Sequence, residues 1–181
     1  MAAMGLTRAV AIGFLLWAGP AAAESIGARY EIYTGGFKAL TIQARAAVGE
    51  AAYDVEASLR TTGVIDWILR FTQKIESRGR IGTGPNPLLY TTAGTFFGTH
   101  RSLRLDYRED GRIDTFLEPA NEVDERTPVP EAMKLDTIDP VSAFVALNKA
   151  AAAGGSPCSG KVPIFDGRRR YSIEMSKVKD I

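Results

Sequence analysis

Two stretches decide the fold: Leu40-Thr-Ile-Gln-Ala-Arg-Ala-Ala-Val48 and, after Gly49-Glu50, Tyr53-Asp-Val-Glu-Ala-Ser-Leu-Arg60. In the first, Leu40, Ile42, Ala44, Ala46 and Val48 share one face, while Thr41, Gln43 and Arg45 take the other. In the second, Tyr53, Val55, Ala57 and Leu59 alternate with Asp54, Glu56, Ser58 and Arg60. A period of two is the pleat of a half-buried strand, because successive side chains point to opposite faces. Upstream, Tyr30, Ile32 and Thr34 alternate with Glu31 and Tyr33, and Gly35-Gly36 supplies the positive φ angles of a tight hairpin. Three strands joined by two short turns make a meander.

The rhythm continues downstream. Phe71–Ile81 reads as a strand, Gly82–Pro87 as a breaker, and Leu88–Phe97 as the next strand. Leu103, Leu105 and Tyr107 alternate with Arg104 and Asp106, and Glu109-Asp110-Gly111 turns into Arg112–Leu117. Lys161–Phe165, the turn Asp166-Gly167 and Arg168–Met175 form a last hairpin. The pattern predicts roughly nine strands, mostly antiparallel neighbours by turn length.

Two stretches depart from it. Val64–Arg70 is short and apolar and reads as a helical turn or a bent loop. Asp139–Ala153 predicts a helix, with Asp139 as N-cap, Pro140 in the first helical position and Gly154-Gly155 as the stop. Its stripe of Val141, Phe144, Val145 and Leu147 is expected to pack on the sheet. Between Glu118 and Ile138, three prolines and several acids predict an extended connector without ladder bonds. A sheet with one apolar face must cover it. The fold class that follows is mainly β: an antiparallel meander curling into an open or partial β-barrel around one α-helix, with a two-sheet sandwich as the alternative.

Composition narrows function. The 181 residues suit a single domain, and 45% hydrophobic with 24% charged residues is ordinary for a globular chain. A formal charge of +1 is too balanced for a protein that grips nucleic acid through phosphate charge. The first 23 residues carry one charge, Arg8, then the apolar run Ala9–Trp17, Gly19-Pro20 and Ala21-Ala22-Ala23. That is the pattern of a secretory signal peptide cleaved after Ala23, and its apolar run is far below the ~20 residues of a membrane span. Residues 24–181 then form a single β-rich domain, and the expected location is the periplasm. Without Arg8, 21 of the 22 basic residues remain against 21 acids. From Glu109 to Asp139 ten acids face only Arg112, Arg126 and Lys134, and Arg168-Arg169-Arg170 lies downstream, so the two patches are expected to satisfy each other.

No pattern announces catalysis. The one His, His100, has no nucleophile placed beside it, and Ser142 and Ser159 lack a G-x-S-x-G setting. Gly82-Thr83-Gly84 runs into Pro85 rather than a helix, so it makes no phosphate cradle. One Cys and one His argue against zinc and iron–sulfur sites, and the acids form no calcium loop. The expectation is a non-enzyme with neither metal nor cofactor. The odd Cys158 in an oxidising compartment, and an end at Ile181 just after a strand, predict that a longer product continues the chain.

Tyr30–Lys38, Thr62-Gly-Val-Ile-Asp-Trp67, Asp139-Pro-Val-Ser-Ala143 and above all Phe165-Asp-Gly-Arg-Arg-Arg-Tyr171 carry a resemblance. The chain resembles an exported bacterial family, domain of unknown function 3108, common in alphaproteobacteria. The resemblance implies further sequence after the Arg run, often with another Cys, and supplies no catalytic residues to carry over. The implied architecture is similar to the open β-barrels of periplasmic lipoprotein-handling and envelope-integrity proteins, an analogy of fold that leaves function open.

Two functions compete. In the first, Leu40, Ile42, Tyr53, Val55, Leu59, Leu103 and Leu105 line a concave face for an apolar ligand, a lipid or a lipoprotein partner, with Trp67 at its edge. The same residues also suit plain core under the 139–153 helix. In the second, a structural or interaction protein of the cell envelope uses Arg168, Arg169 and Arg170 to meet an acidic partner. A hydrolase built on an unrecognised carboxylate pair ranks behind both.

Overall fold

Alternation on this scale builds strands first and leaves the helices as cover. The computed structural model describes residues 25–120, 128–152 and 160–175. The expected signal peptide, Cys158 and the segment 177–181 lie outside them. The elements are β1 (Ser25–Thr34), β2 (Phe37–Val48), β3 (Ala52–Thr61), α1 (Val64–Leu69), β4 (Thr72–Ile81), β5 (Pro85–Phe96), β6 (Thr99–Tyr107) and β7 (Ile113–Glu118). They continue with α2 (Glu131–Lys134), α3 (Pro140–Ala152), β8 (Gly160–Phe165) and β9 (Arg170–Met175).

β1 to β7 form one antiparallel sheet in sequence order, and β8 pairs only with β9. The first and last strands of the sheet do not meet, so the meander is an open barrel wall. Gly35 and Gly36 take φ of 56° and 83°, which lets β1 return as β2 with no side chain in the way. The short apolar stretch after β3 resolves as the helical turn α1.

The inner face is defined by what α3, β8 and the chain before α3 press against. Tyr90, Leu105, Ile113 and Phe165 form its buried centre, with Ile75, Leu103, Tyr107, Val129 and Val141 around them. Phe165 is capped by the Lys134 ammonium, 5.3 Å from its ring centroid. The β8–β9 turn reaches the sheet at Gly167, where φ is 94° and a Cβ would stand 2.3 Å from Leu103 Cδ1. Only glycine combines that angle with that approach. A parallel bridge between Ile138 and Ile164 ties the chain before α3 to β8.

Several expectations are corrected. Pro85 and Pro87 belong to β5 rather than to a breaker. β6 pairs with β5 only from Leu89 to Phe96, so these prolines face no second partner strand. The 118–138 connector contains the short helix α2. The buried side of α3 is Ser142, Ala143 and Val145, whereas Phe144 is 66% exposed. Val141 and Val145 of the expected stripe do face the core, Leu147 is half-buried, and Phe144 turns away because the small residues Ser142 and Ala143 make the close approach. Arg168 and Arg169 sit in the turn before β9, their amides donating to Asp166 Oδ1 at 2.9 and 2.7 Å. The acids of 109–139 that form ion pairs among the described residues pair locally: Asp110 with Arg112, Asp114 with Arg108, Glu131 with Lys134.

Candidate functional site

The register carries the inner face from one strand to the next. Ile42 lies opposite Tyr30 on β1 and Leu59 on β3; Leu59 lies opposite Gln73, Gln73 opposite Gly94, and Gly94 opposite Arg101. One step along, Ala44, Ala57, Ile75, Thr92 and Leu103 form the neighbouring row. Since residues two apart share a face, the face that packs under α3 at β4 and β5 extends unbroken to β1.

Cover does not extend that far. Among the described residues, α3 packs on β4, β5 and β8. On β1, Ile26, Tyr30 and Ile32 are 69, 59 and 45% exposed. Leu40, Ile42, Val55 and Leu59 are half-buried. These four expected ligand residues are brought together on one open apolar surface. Tyr53 and Leu105 are not part of it: both are buried, Leu105 in the centre of the core. They are sealed because α3 and Phe165 occupy the space above them. Leu103 stands at the boundary, packed against the core yet lining a cavity. Trp67 sits on α1, beside β2 and β3, and is 88% exposed.

That cavity, about 520 Å³, lies where β4–β6 meet the β8–β9 turn. Its polar lining includes Gln73, Arg101, Arg168, Arg169 and Asp166 beside the hydroxyls of Thr72, Thr92, Thr95 and Ser102, and Phe71, Phe96, Tyr90 and Tyr171 are its aromatic residues. Phe71 and Phe96 meet edge to face at 6.1 Å. Burial, with Asp139 and Asp166 adding to it, pushes the Tyr90 phenol up, so it stays a hydrogen-bond donor at neutral pH. Two members of the Arg run therefore reach a concave site, while Arg170 begins β9 and is exposed. Sequence reading missed Arg101. Its signal was there: two residues before Leu103, it puts a charge on the apolar face of β6.

A second polar group is buried beneath α3. Asp139 Oδ1 accepts the amides of Val141 and Ser142, both at 2.9 Å, as an N-cap should. Its Oδ2 accepts the hydroxyls of Ser142 and Ser77, the latter at 3.2 Å. With its own proton given to Asp139, Ser142 Oγ accepts from the Tyr53 hydroxyl at 2.6 Å. Burial raises the Asp139 pKa despite these bonds, and it pushes Tyr53 up to about 12. Asp139 and Ser142 have no exposed surface, so the chain Tyr53–Ser142–Asp139–Ser77 serves to pin α3 onto β3 and β4. Ser77 was legible as a polar residue on the apolar face of β4; its meeting with residues 142 and 139 was not.

His100 is exposed at the start of β6. Among the described residues no three His, Cys, Asp or Glu side chains are grouped to hold a metal ion. Nor is any of their helices long and apolar enough to cross a membrane. The family model described as protein of unknown function (DUF3108) matches residues 29–180. The chain belongs to this family. The match spans everything in the DUF3108 domain discussed above except the first residues of β1 and includes the Phe165–Tyr171 string that carries the cavity's Arg168 and Arg169. No curated protein and no solved structure was found to match this DUF3108 chain.

Proposed function

We propose that this DUF3108 protein is exported to the periplasm and acts without catalysis, holding an apolar ligand, a lipid or the lipid-bearing end of a lipoprotein, on the open inner face of β1–β3. The observation that carries the reading is the uncovered apolar surface from Ile26, Tyr30 and Ile32 to Leu59. A contiguous apolar surface left in water is costly, and monomeric proteins keep one chiefly where something binds. Export is supported by the Arg8–Ala23 pattern. The alternative, a structural envelope protein meeting an acidic partner, draws on Arg169 and Arg170, both exposed.

The test is to express the full chain in a Gram-negative host and recover it from the periplasmic fraction. N-terminal sequencing should begin at Glu24, and native mass spectrometry should find a lipid mass released by organic solvent. Recovery in the cytoplasm with residues 1–23 attached removes the export claim. A protein that carries no lipid and takes up no environment-sensitive apolar dye removes the ligand claim and leaves the envelope-partner reading.

A further inference from the structure

The seven-stranded meander has two rims that differ in chemistry. At one stand the β2–β3, β4–β5 and β6–β7 turns, Gly49–Ala51, Gly82–Gly84 and Arg108–Arg112, which contain no large apolar residue. At the other stand the β1–β2 turn, the connection through α1 and the β5–β6 turn. Phe37, Val64, Trp67, Ile68 and Phe97 lie there, each more than half exposed. The Thr62 amide donates to the Ala39 carbonyl at 3.0 Å, and the Phe97 amide to the Leu69 carbonyl at 3.2 Å. The α1 connection is therefore tied to β2 on one side and to the β5–β6 turn on the other.

Two local features run against ordinary packing. On α1, Val64, Trp67 and Ile68 follow i, i+3, i+4 spacing and share the exposed face, whereas Ile65, Asp66 and Leu69 are half-buried. A surface helix ordinarily turns its apolar stripe inward; this one shows it to water. Its carboxylate is drawn the other way, Asp66 Oδ1 accepting the Thr61 hydroxyl at 2.6 Å. In the β5–β6 turn, Phe97 takes φ of 49° ahead of Gly98 at 80°. Asn, Asp or Gly suits that left-handed position, and an aromatic residue is strained there.

We infer that this rim docks on an anionic lipid bilayer, with Phe37, Trp67, Ile68 and Phe97 entering the interface and Arg60 and Arg70 meeting head groups. Trp and other aromatic rings favour the membrane–water boundary. Arg60 and Arg70 are exposed just behind the tips and carry no ion pair among the described residues. Arg60 lies two strand residues, about 7 Å, behind Thr62, which is head-group depth once the tips enter by about 5–10 Å. Apolar and cationic groups thus stand at the two heights that one leaflet requires. A bilayer yields around each separate tip, whereas a folded partner would have to match all three. The inference concerns a membrane surface and stands whether or not the inner face holds a ligand.

The test uses the full chain with Trp17→Phe, which leaves Trp67 as its sole tryptophan. Vesicles of phosphatidylglycerol and phosphatidylethanolamine in equal parts should shift Trp67 emission to the blue, and brominated acyl chains should quench it. Phe97→Ser with Ile68→Ser should raise the lipid concentration at half the Trp67 shift at least about tenfold. Arg60→Gln with Arg70→Gln should do so about tenfold on these vesicles and leave phosphatidylcholine vesicles unchanged. Arg112→Gln, at the opposite rim, should change neither. All five side chains are exposed, so thermal melts of the variants should match the parent. Water-like Trp67 emission at saturating lipid overturns the proposal, even if another segment carries the protein to the vesicles. A shift indifferent to either pair of substitutions overturns it as well. So does a dimer in vesicle-free buffer that Trp67→Ser dissociates, which gives the rim to a second copy. Lipid or dye uptake by the inner face is measured without vesicles and fails or succeeds separately.

Discussion

On β6, Leu105 is wholly buried and its face-mates Leu103 and Tyr107 are packed against the core; on β1, Ile26, Tyr30 and Ile32 of the same face are 45–69% exposed. Both strands alternate with the same period and belong to the same sheet. The difference is what stands opposite. β4–β7 meet α3, Phe165 and the Gly167 turn, all contributed by the last third of the chain. Among the described residues α3 touches β3 at Tyr53, and nothing of equal bulk reaches β1 or β2. Alternation therefore says which residues share a face, and a separate set of residues decides whether that face is core or binding surface.

The sharpest way to break this comparison is a matched pair of truncations. Phe165→Ala removes the ring at the centre of the covered half and should cost about 3–5 kcal/mol in urea unfolding. Ile32→Ala, on the open half, should cost under about 0.5 kcal/mol, because little is buried to lose. Similar losses at the two sites would mean that the β1 face is covered after all.

Asp139→Ala tests how the cover is attached. It removes the α3 cap and leaves the hydroxyls of Ser142 and Ser77 without their acceptor, an expected loss of about 1–3 kcal/mol. The two halves also differ in pH response. Asp139 has a raised folded pKa, so its contribution is complete below its unfolded value near ~3.9 and is lost as pH rises through the folded one. Glu31, on exposed β1, is lowered to about 2, chiefly by the Lys38 and Tyr33 hydrogen bonds. Its contribution is present above the ordinary Glu value and is lost as pH falls toward that figure. Thermal melts of Asp139→Asn and Glu31→Gln should show opposite trends. The gap between wild type and Asp139→Asn closes with rising pH, and the gap to Glu31→Gln closes with falling pH. Parallel trends would contradict the burial difference.

The smallest effect belongs to Trp67, the only tryptophan after residue 23. At 88% exposed, it should emit as it would in water, quench freely with acrylamide, and change stability by under about 0.5 kcal/mol when replaced by Ala. A blue shift on adding an apolar ligand would place α1 at its rim.

Much of the fold was legible. Gly35-Gly36, Asp110-Gly111 and Asp166-Gly167 marked hairpins that the structure contains, and Asp139-Pro140 marked the start of α3. These are local signals, each resting on a φ preference or a cap a few residues long. The candidate site was legible in part. Leu40, Ile42, Val55 and Leu59 follow from period two alone, whereas the covering of Tyr53 and Leu105 does not. The α3 stripe held at Val141 and Val145 and failed at Phe144, because helical spacing marks a side without saying that Ser142 and Ala143 are what meet the sheet beside them.

By itself, then, the sequence determined the strands, their turns, the antiparallel order and the two faces, since those depend on neighbours in the chain. Tertiary structure alone decided which half of the inner face is closed. It also decided that Arg101 joins Arg168 and Arg169, residues more than sixty positions apart, around one cavity. The reason is physical: pleat and turn energies act between adjacent residues, while cover and charge convergence depend on where a returning hairpin comes to rest.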